Sequence, residues 1–288
     1  MSYTAWILVT ASLVGISCGL IGVFLILRKM AMMADAISHT VLLGIVIAYL
    51  LTQSLSGIHM IVGAAVAGVL TTYLVQWFHL RGVQQDASIG VVFTTLFALG
   101  VVLIATKVGN AHLDVKHALM GEIAFIPWNR VEVIGIGAIP VATLILLIVL
   151  VIVIATIWLF YKEWKLTTFD PALAASIGIP VIALHYLFMT LVSMTTVAAF
   201  DAVGAIMVVA MLITPAASAY LWTDKLLVML GLSAGFGILS AVTGYYFAVF
   251  IDTSISGSMA FATGIFFLIS YLFSPRHGLL ASYLRPTS

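Results

Sequence analysis

Asp35 and His39 stand four residues apart in the stretch Met33-Ala-Asp-Ala-Ile-Ser-His-Thr40, and Leu-, Ile- and Val-rich sequence runs on from there to Leu51. On a helix, residues at i and i+4 share one face, with Cβ atoms about 5–6 Å apart. A carboxylate and an imidazole therefore project together from one wall. Both groups are costly in hydrocarbon, and ionisable residues inside membrane spans mostly face a bundle interior or an aqueous path. A hard oxygen donor beside an imidazole is also half of a site for a first-row divalent metal ion. The plainer alternative is an Asp in a first helical turn with a hydrogen-bonded His beside it.

Such a pair needs an apolar scaffold, and the composition supplies one. Of 288 residues, 64% are hydrophobic and only 7% charged, against about 25% charged in soluble domains. The chain reads as an all-α, polytopic helical membrane protein, a single transmembrane domain over residues 1–288. A net charge of +1 argues against a nucleic-acid partner. The single cysteine, Cys18, excludes a disulfide framework and reads as a packed small residue. The apolar run from Ala5 to Leu27 is longer than a signal-peptide core of about 7–15 residues, so it is expected to be the first span.

With about 20 apolar residues per span, about nine spans are predicted, roughly 5–27, 33–52, 58–80, 89–108, 132–161, 180–199, 203–222, 226–250 and 257–274. Arg28, Lys29, Arg81, Lys162, Lys165, Lys225, Arg276 and Arg285 all fall on one side, which is therefore expected to be cytoplasmic. That places the N-terminus outside and the C-terminus inside. Lys107, Lys116 and Arg130 break the pattern in the connection between the fourth and fifth spans.

Three further segments carry polar groups. The outer connection from Gly109 to Arg130 holds His112, Asp114, His117 and Glu122, a candidate docking surface for an external protein. On the basic side, Asp170 reads as an N-cap, Pro171 as a first helical residue, and Gly178 with Pro180 as a stop. A helix of about two turns follows from that, with small residues Ala172, Ala175 and Ser176 on one face. Asp201 ends the sixth span, where it either lines an outer vestibule or caps the next helix. His185 reads as a packing residue, and Gly15, Gly19 and Gly22 as a small-residue helix contact. No phosphate-binding Gly-x-x-x-x-Gly-Lys-[Ser/Thr] loop and no His-Glu-x-x-His zinc motif occur.

Together these blocks resemble the membrane permease subunits of bacterial ATP-binding-cassette importers of manganese, zinc and iron. The likeness runs through Met33-Ala-Asp-Ala-Ile-Ser-His39, Asp86-Ala-Ser-Ile-Gly-Val-Val-Phe-Thr94, Phe169-Asp-Pro-Ala-Leu-Ala174, Phe200-Asp-Ala-Val-Gly204, Leu212-Ile-Thr-Pro-Ala-Ala-Ser218 and Ser274-Pro-Arg-His-Gly278. Phe200 to Gly204 and the Leu113-Asp-Val loop look most like the manganese branch. The resemblance implies that Asp35 and His39 are metal ligands; Asp201 stays a pathway candidate from its place at the end of the sixth span. It implies that Phe169, Asp170, Pro171, Ala172, Ala175 and Gly178 form a coupling helix seated on a separate ATPase. It implies a second permease subunit, an extracellular metal-binding protein, a bacterial plasma membrane, no permanently bound cofactor, and a divalent ion as cargo. Ala34 stands where the family commonly has Gly, and Leu43 where Pro is common, which raises the question of helix geometry just past His39. The residue pattern alone leaves open a secondary cation/proton transporter, because Asp–His chains also relay protons.

Overall fold

The computed structural model describes residues 2–53, 57–107, 123–128, 130–133, 137–275 and 278–279. Helices α1 (Tyr3–Leu27), α2 (Met32–Thr52), α3 (Gly57–Leu80) and α4 (Gln85–Lys107) come first, followed by a 3-10 turn at Ile123–Trp128. Strands β1 (Arg130–Val133) and β2 (Gly137–Pro140) pair antiparallel, with Arg130 opposite Pro140. Then come α5 (Val141–Leu159), α6 (Tyr161–Phe169), α7 (Pro171–Ser176), α8 (Val181–Val203), α9 (Ala205–Trp222), α10 (Leu226–Ile251) and α11 (Ile255–Phe273). Eight of these helices are long and apolar enough to cross a membrane. The 24-residue α3 matches them in length, so nine long helices stand among the described residues, the number expected.

The fifth span departs from expectation. Residues 130–133 and 137–140 are paired strands and not the start of the helix, and α5 starts at Val141 behind Pro140. Pro lacks an N–H to extend a helix backwards, and it sits comfortably just outside a first turn. The apolar run Val131-Glu-Val-Ile-Gly-Ile-Gly-Ala-Ile139 is hydrophobic enough to imitate the start of a span.

Helix α1 sits at the centre of one group of helices, packed against α5, α8, α9 and α10. Helices α2, α3 and α4 form a second group, and α8 and α9 join the two. The small residues of α1 do what their spacing predicts. A Cβ on Gly15 would lie 2.7 Å from the Gly237 carbonyl, and Ser233 donates a 2.8 Å hydrogen bond to the Gly19 carbonyl. Cys18 is fully buried in the same contact zone. Two hydroxyl pairs pin helices laterally, Thr10 to Thr143 at 2.6 Å and Thr71 to Thr40 at 2.8 Å. In hydrocarbon such hydroxyls have no water to turn to, so paired hydroxyls mark fixed contacts.

Candidate functional site

Asp35 lies in the first turn of α2 and His39 in the second. An acid there meets the positive end of the helix dipole. The opposite side of α2 is committed to packing: Met33, Ala34, Ala36 and Ile37 are fully buried, and Thr40 bonds Thr71 of α3. Asp35 and His39 are left on the remaining face, with 37% and 31% of their side chains exposed.

His39 Nε2 and Asp35 Oδ1 are 3.4 Å apart. Two donors each about 2.1 Å from one ion lie about 3.0 Å apart at a right angle and about 3.4 Å apart at the tetrahedral angle. The pair is thus spaced to share a divalent cation without rearrangement. His39 Nδ1 is buried and makes no hydrogen bond among the described residues. The ring is held instead by α4, with its centroid 5.3 Å from Phe93 and 5.6 Å from Phe97. Metal-binding imidazoles usually donate their second N–H to an acceptor that strengthens the bond. Aromatic walls in place of that acceptor suit a ligand that must let its ion go.

The pair lies deep in the bundle although α2 has only just begun. A Cβ on Gly68 of α3 would meet both Ile37 and Ser193, so Ile37, between the two polar residues, stands level with the middle of α8. Asp201, eight residues beyond Ser193 on α8, is about 12 Å further along the axis. It is exposed in the last turn of α8 and does not join the Asp35–His39 pair. Nor does it cap α9, whose N-cap is Gly204 at φ 80° with no side-chain bond. Among the described residues no three His, Cys, Asp or Glu groups gather to hold a metal ion. The described residues therefore bring two donors to one place.

The departures from the family pattern have simple consequences. Helix α2 runs unbroken through Leu43 to Thr52. Gly100 of α4 crosses directly over the Leu43 backbone, where a Cβ would lie 3.2 Å from its N and Cα. Ala34 is fully buried, its carbonyl accepting a 2.8 Å bond from the Ser38 hydroxyl. His185 is half-buried, and its Nε2 has no hydrogen-bond partner among the described residues.

At the end of the bundle that carries Arg28, α7 forms as its caps require. Asp170 Oδ1 accepts a 2.9 Å bond from the Leu173 N–H, Pro171 opens the helix, and Gly178 turns the chain at φ 85°. Ala172, Ala175 and Ser176 are exposed, as their small-residue face suggested. Sequence reasoning named Phe169 but missed Leu173 and Ile177: the three, spaced by four, are 58%, 48% and 60% exposed around that helix. His112, Asp114, His117 and Glu122 lie outside the described residues.

A bundle of nine long helices, eight of them apolar enough to cross a membrane, with a half-exposed carboxylate–imidazole pair on one helix face, defines a multi-pass membrane protein. The comparisons agree, and the chain belongs to the ABC 3 transport family, whose pattern matches residues 1–274. It is 57% identical over 285 residues to the manganese transport system membrane protein MntD of Bacillus subtilis (strain 168), covering 99% of this chain and 97% of that one. It is 42% identical over 278 residues to the zinc transport system membrane protein TroD of Treponema pallidum (strain Nichols), covering 96% of this chain and 76% of TroD. In three dimensions it is similar to PsaBC from Streptococcus pneumoniae in complex with Fab, with a TM-score of 0.80, 34% identity, and coverage of 98% of this chain and 96% of that one.

Proposed function

We propose that the chain is the membrane-spanning subunit of an ATP-driven importer of divalent transition-metal ions, with Mn(II) as the first cargo and Zn(II) or Fe(II) as alternatives. The observation that carries this reading is the 3.4 Å Asp35–His39 pair on the half-exposed face of α2. The names of the relatives support it, since manganese systems recur among them and a zinc system stands beside them. Manganese ranks below zinc in intrinsic affinity for such ligands, so preference for it must come from geometry and from the protein that delivers the ion.

Two donors do not fill a coordination sphere. A second permease subunit, either another copy or a close paralogue, would face this one across the path and raise the set to two carboxylates and two imidazoles. The work comes from a separate ATPase, for which exposed Phe169, Leu173 and Ile177 around α7 offer an apolar seat. An extracellular metal-binding protein hands over the ion at the opposite face. The home of the assembly is the bacterial plasma membrane, with the basic end of the bundle in the cytoplasm.

The test is uptake of radiolabelled Mn(II) by the full complex in liposomes. Asp35→Ala and His39→Ala are each expected to lower uptake about a hundredfold or more, since even the outer partners of metal ligands cost about 10–100-fold when lost. Uptake near the unsubstituted level in both, at normal assembly, sinks the site. A pH gradient that drives uptake without ATP would favour a secondary transporter instead.

A further inference from the structure

Arg28 is a half-buried cation to which the transport site gives no task. It ends α1, where Nε donates to Thr168 Oγ1 at 3.1 Å and Nη2 to Thr167 Oγ1 at 3.2 Å, both on α6. Its guanidinium carbon lies 4.6 Å from the centre of the Phe188 ring on α8. Behind it Phe24, Trp164 and Phe188 meet edge to face, with centroids 5.2, 5.6 and 6.1 Å apart, and Phe24, Trp164 and Phe188 are fully buried. Burial pushes the guanidinium down to about 10, so it stays charged at neutral pH. No carboxylate pairs with it among the described residues. A cation held only by hydroxyls and a ring face is a poor stabiliser compared with an apolar side chain of the same size. Its use is therefore sought in what it joins.

On one side it joins the arm that carries α7. Thr167 and Thr168 lie at the end of α6, and a single residue, Asp170, separates α6 from α7 and caps it. On the other side it joins the start of α2. Only residues 29–31 separate Arg28 from Met32, and that turn is tightly bonded: Lys29 N–H to Ile26, Met30 N–H to Leu25 and Met33 N–H to Met30. Lys29 takes φ 59°, and Met30 and Met33 are buried. A tightly bonded turn anchored by buried Met30 passes displacement on, because packed interiors shift between discrete arrangements rather than deforming gradually. Asp35 lies one turn further on.

We propose that Arg28 is a positioning residue that transmits movement of the α6–α7 arm to Asp35, and so links the ATP-driven stroke to the cation path. The chain of contacts runs from α7 through Asp170, Thr167 and Thr168 to the guanidinium, and from there through the 29–31 turn to α2. Arg rather than Lys is required, because a planar fork can hold two hydroxyls and a ring face in one orientation, whereas an ammonium is a point charge. This rests on the reading of the protein as a permease worked by a separate ATPase.

The experiment uses the complete importer, with ATPase and metal-delivering protein, in liposomes, and reads Mn(II) ions moved per ATP hydrolysed. Arg28→Ala is expected to lower that ratio about tenfold, the effect of one lost charge-assisted bond, while ATP turnover stays within about twofold. The pair Thr167→Val with Thr168→Val keeps the volume and is expected to lower the ratio in the same direction. Arg28→Lys falls between. Ratios equal to the unsubstituted complex in Arg28→Ala and in the threonine pair overturn the proposal, as does a loss of uptake that ATP turnover follows in step. If Arg28→Ala does not assemble, the threonine pair decides by the same ratio. Absence of ATP-dependent uptake in the unsubstituted complex would instead overturn the importer reading itself.

Discussion

Gly44 of α2 and Gly63 of α3 touch backbone to backbone, so that a Cβ built on either would overlap the carbonyl of the other. This crossing holds α2 in place one turn beyond His39, together with the Thr40–Thr71 bond. Gly44→Val is therefore expected to destabilise the protein by about 1–3 kcal/mol or more and to lower uptake, since the α2 face that carries Asp35 must move. Thermal unfolding of the purified protein reads it directly. Gly90→Ala and Gly231→Ala are the controls, because nothing lies within 4 Å of a Cβ at either position. Equal melting temperatures for all three variants would refute the close approach.

Phe93 and Phe97 wall in the His39 ring where, among the described residues, no acceptor holds its Nδ1. Removing one ring costs about 0.5–1.5 kcal/mol of aromatic contact and frees the imidazole to leave the Asp35 face. Phe93→Ala is expected to raise the KM for Mn(II) uptake about two- to tenfold with little change in the amount of assembled complex. Phe93→Leu should recover part of the loss. An unchanged KM in Phe93→Ala and Phe97→Ala would show that the ring is held by something else.

The α7 region predicts a separation of binding from stability. Phe169, Leu173 and Ile177 are exposed, so replacing Leu173 with Glu removes little packing within this chain. Co-purification of the ATPase with Leu173→Glu is expected to be lost, at an unaltered melting temperature of the permease. Asp170→Ala removes the cap on the Leu173 N–H and should weaken association about fivefold, whereas Asp170→Asn keeps a capping oxygen and should not. Retained association in Leu173→Glu means that the ATPase sits elsewhere.

Cys18 is buried and unpaired, packed in the α1 contact zone. Cys18→Ala is expected to leave uptake unchanged, and the native protein should react with a thiol reagent only after denaturation. Rapid modification of the folded protein, with loss of uptake, would contradict a purely packing role.

Much of this protein was readable along the chain because the information is local. Asp35 and His39 share a face through the helical period alone, Asp170 caps through its own carboxylate, and long apolar runs fix the number of helices. The same local logic erred at 132–140, where hydrophobicity without regard to Pro140 and two glycines imitated the start of a span. What the sequence determined by itself was a membrane bundle with one ionisable pair in an oily setting. Only the folded chain decided the rest: that α4 brings Phe93 and Phe97 to His39, that Asp201 stays apart from the pair, and that Arg28 reaches Thr167 and Thr168 across 139 and 140 residues of chain. Those contacts depend on helix crossings set by residues on different helices, and even where spacing marks a contact face, as at Gly15 and Gly19, it does not name the partner helix.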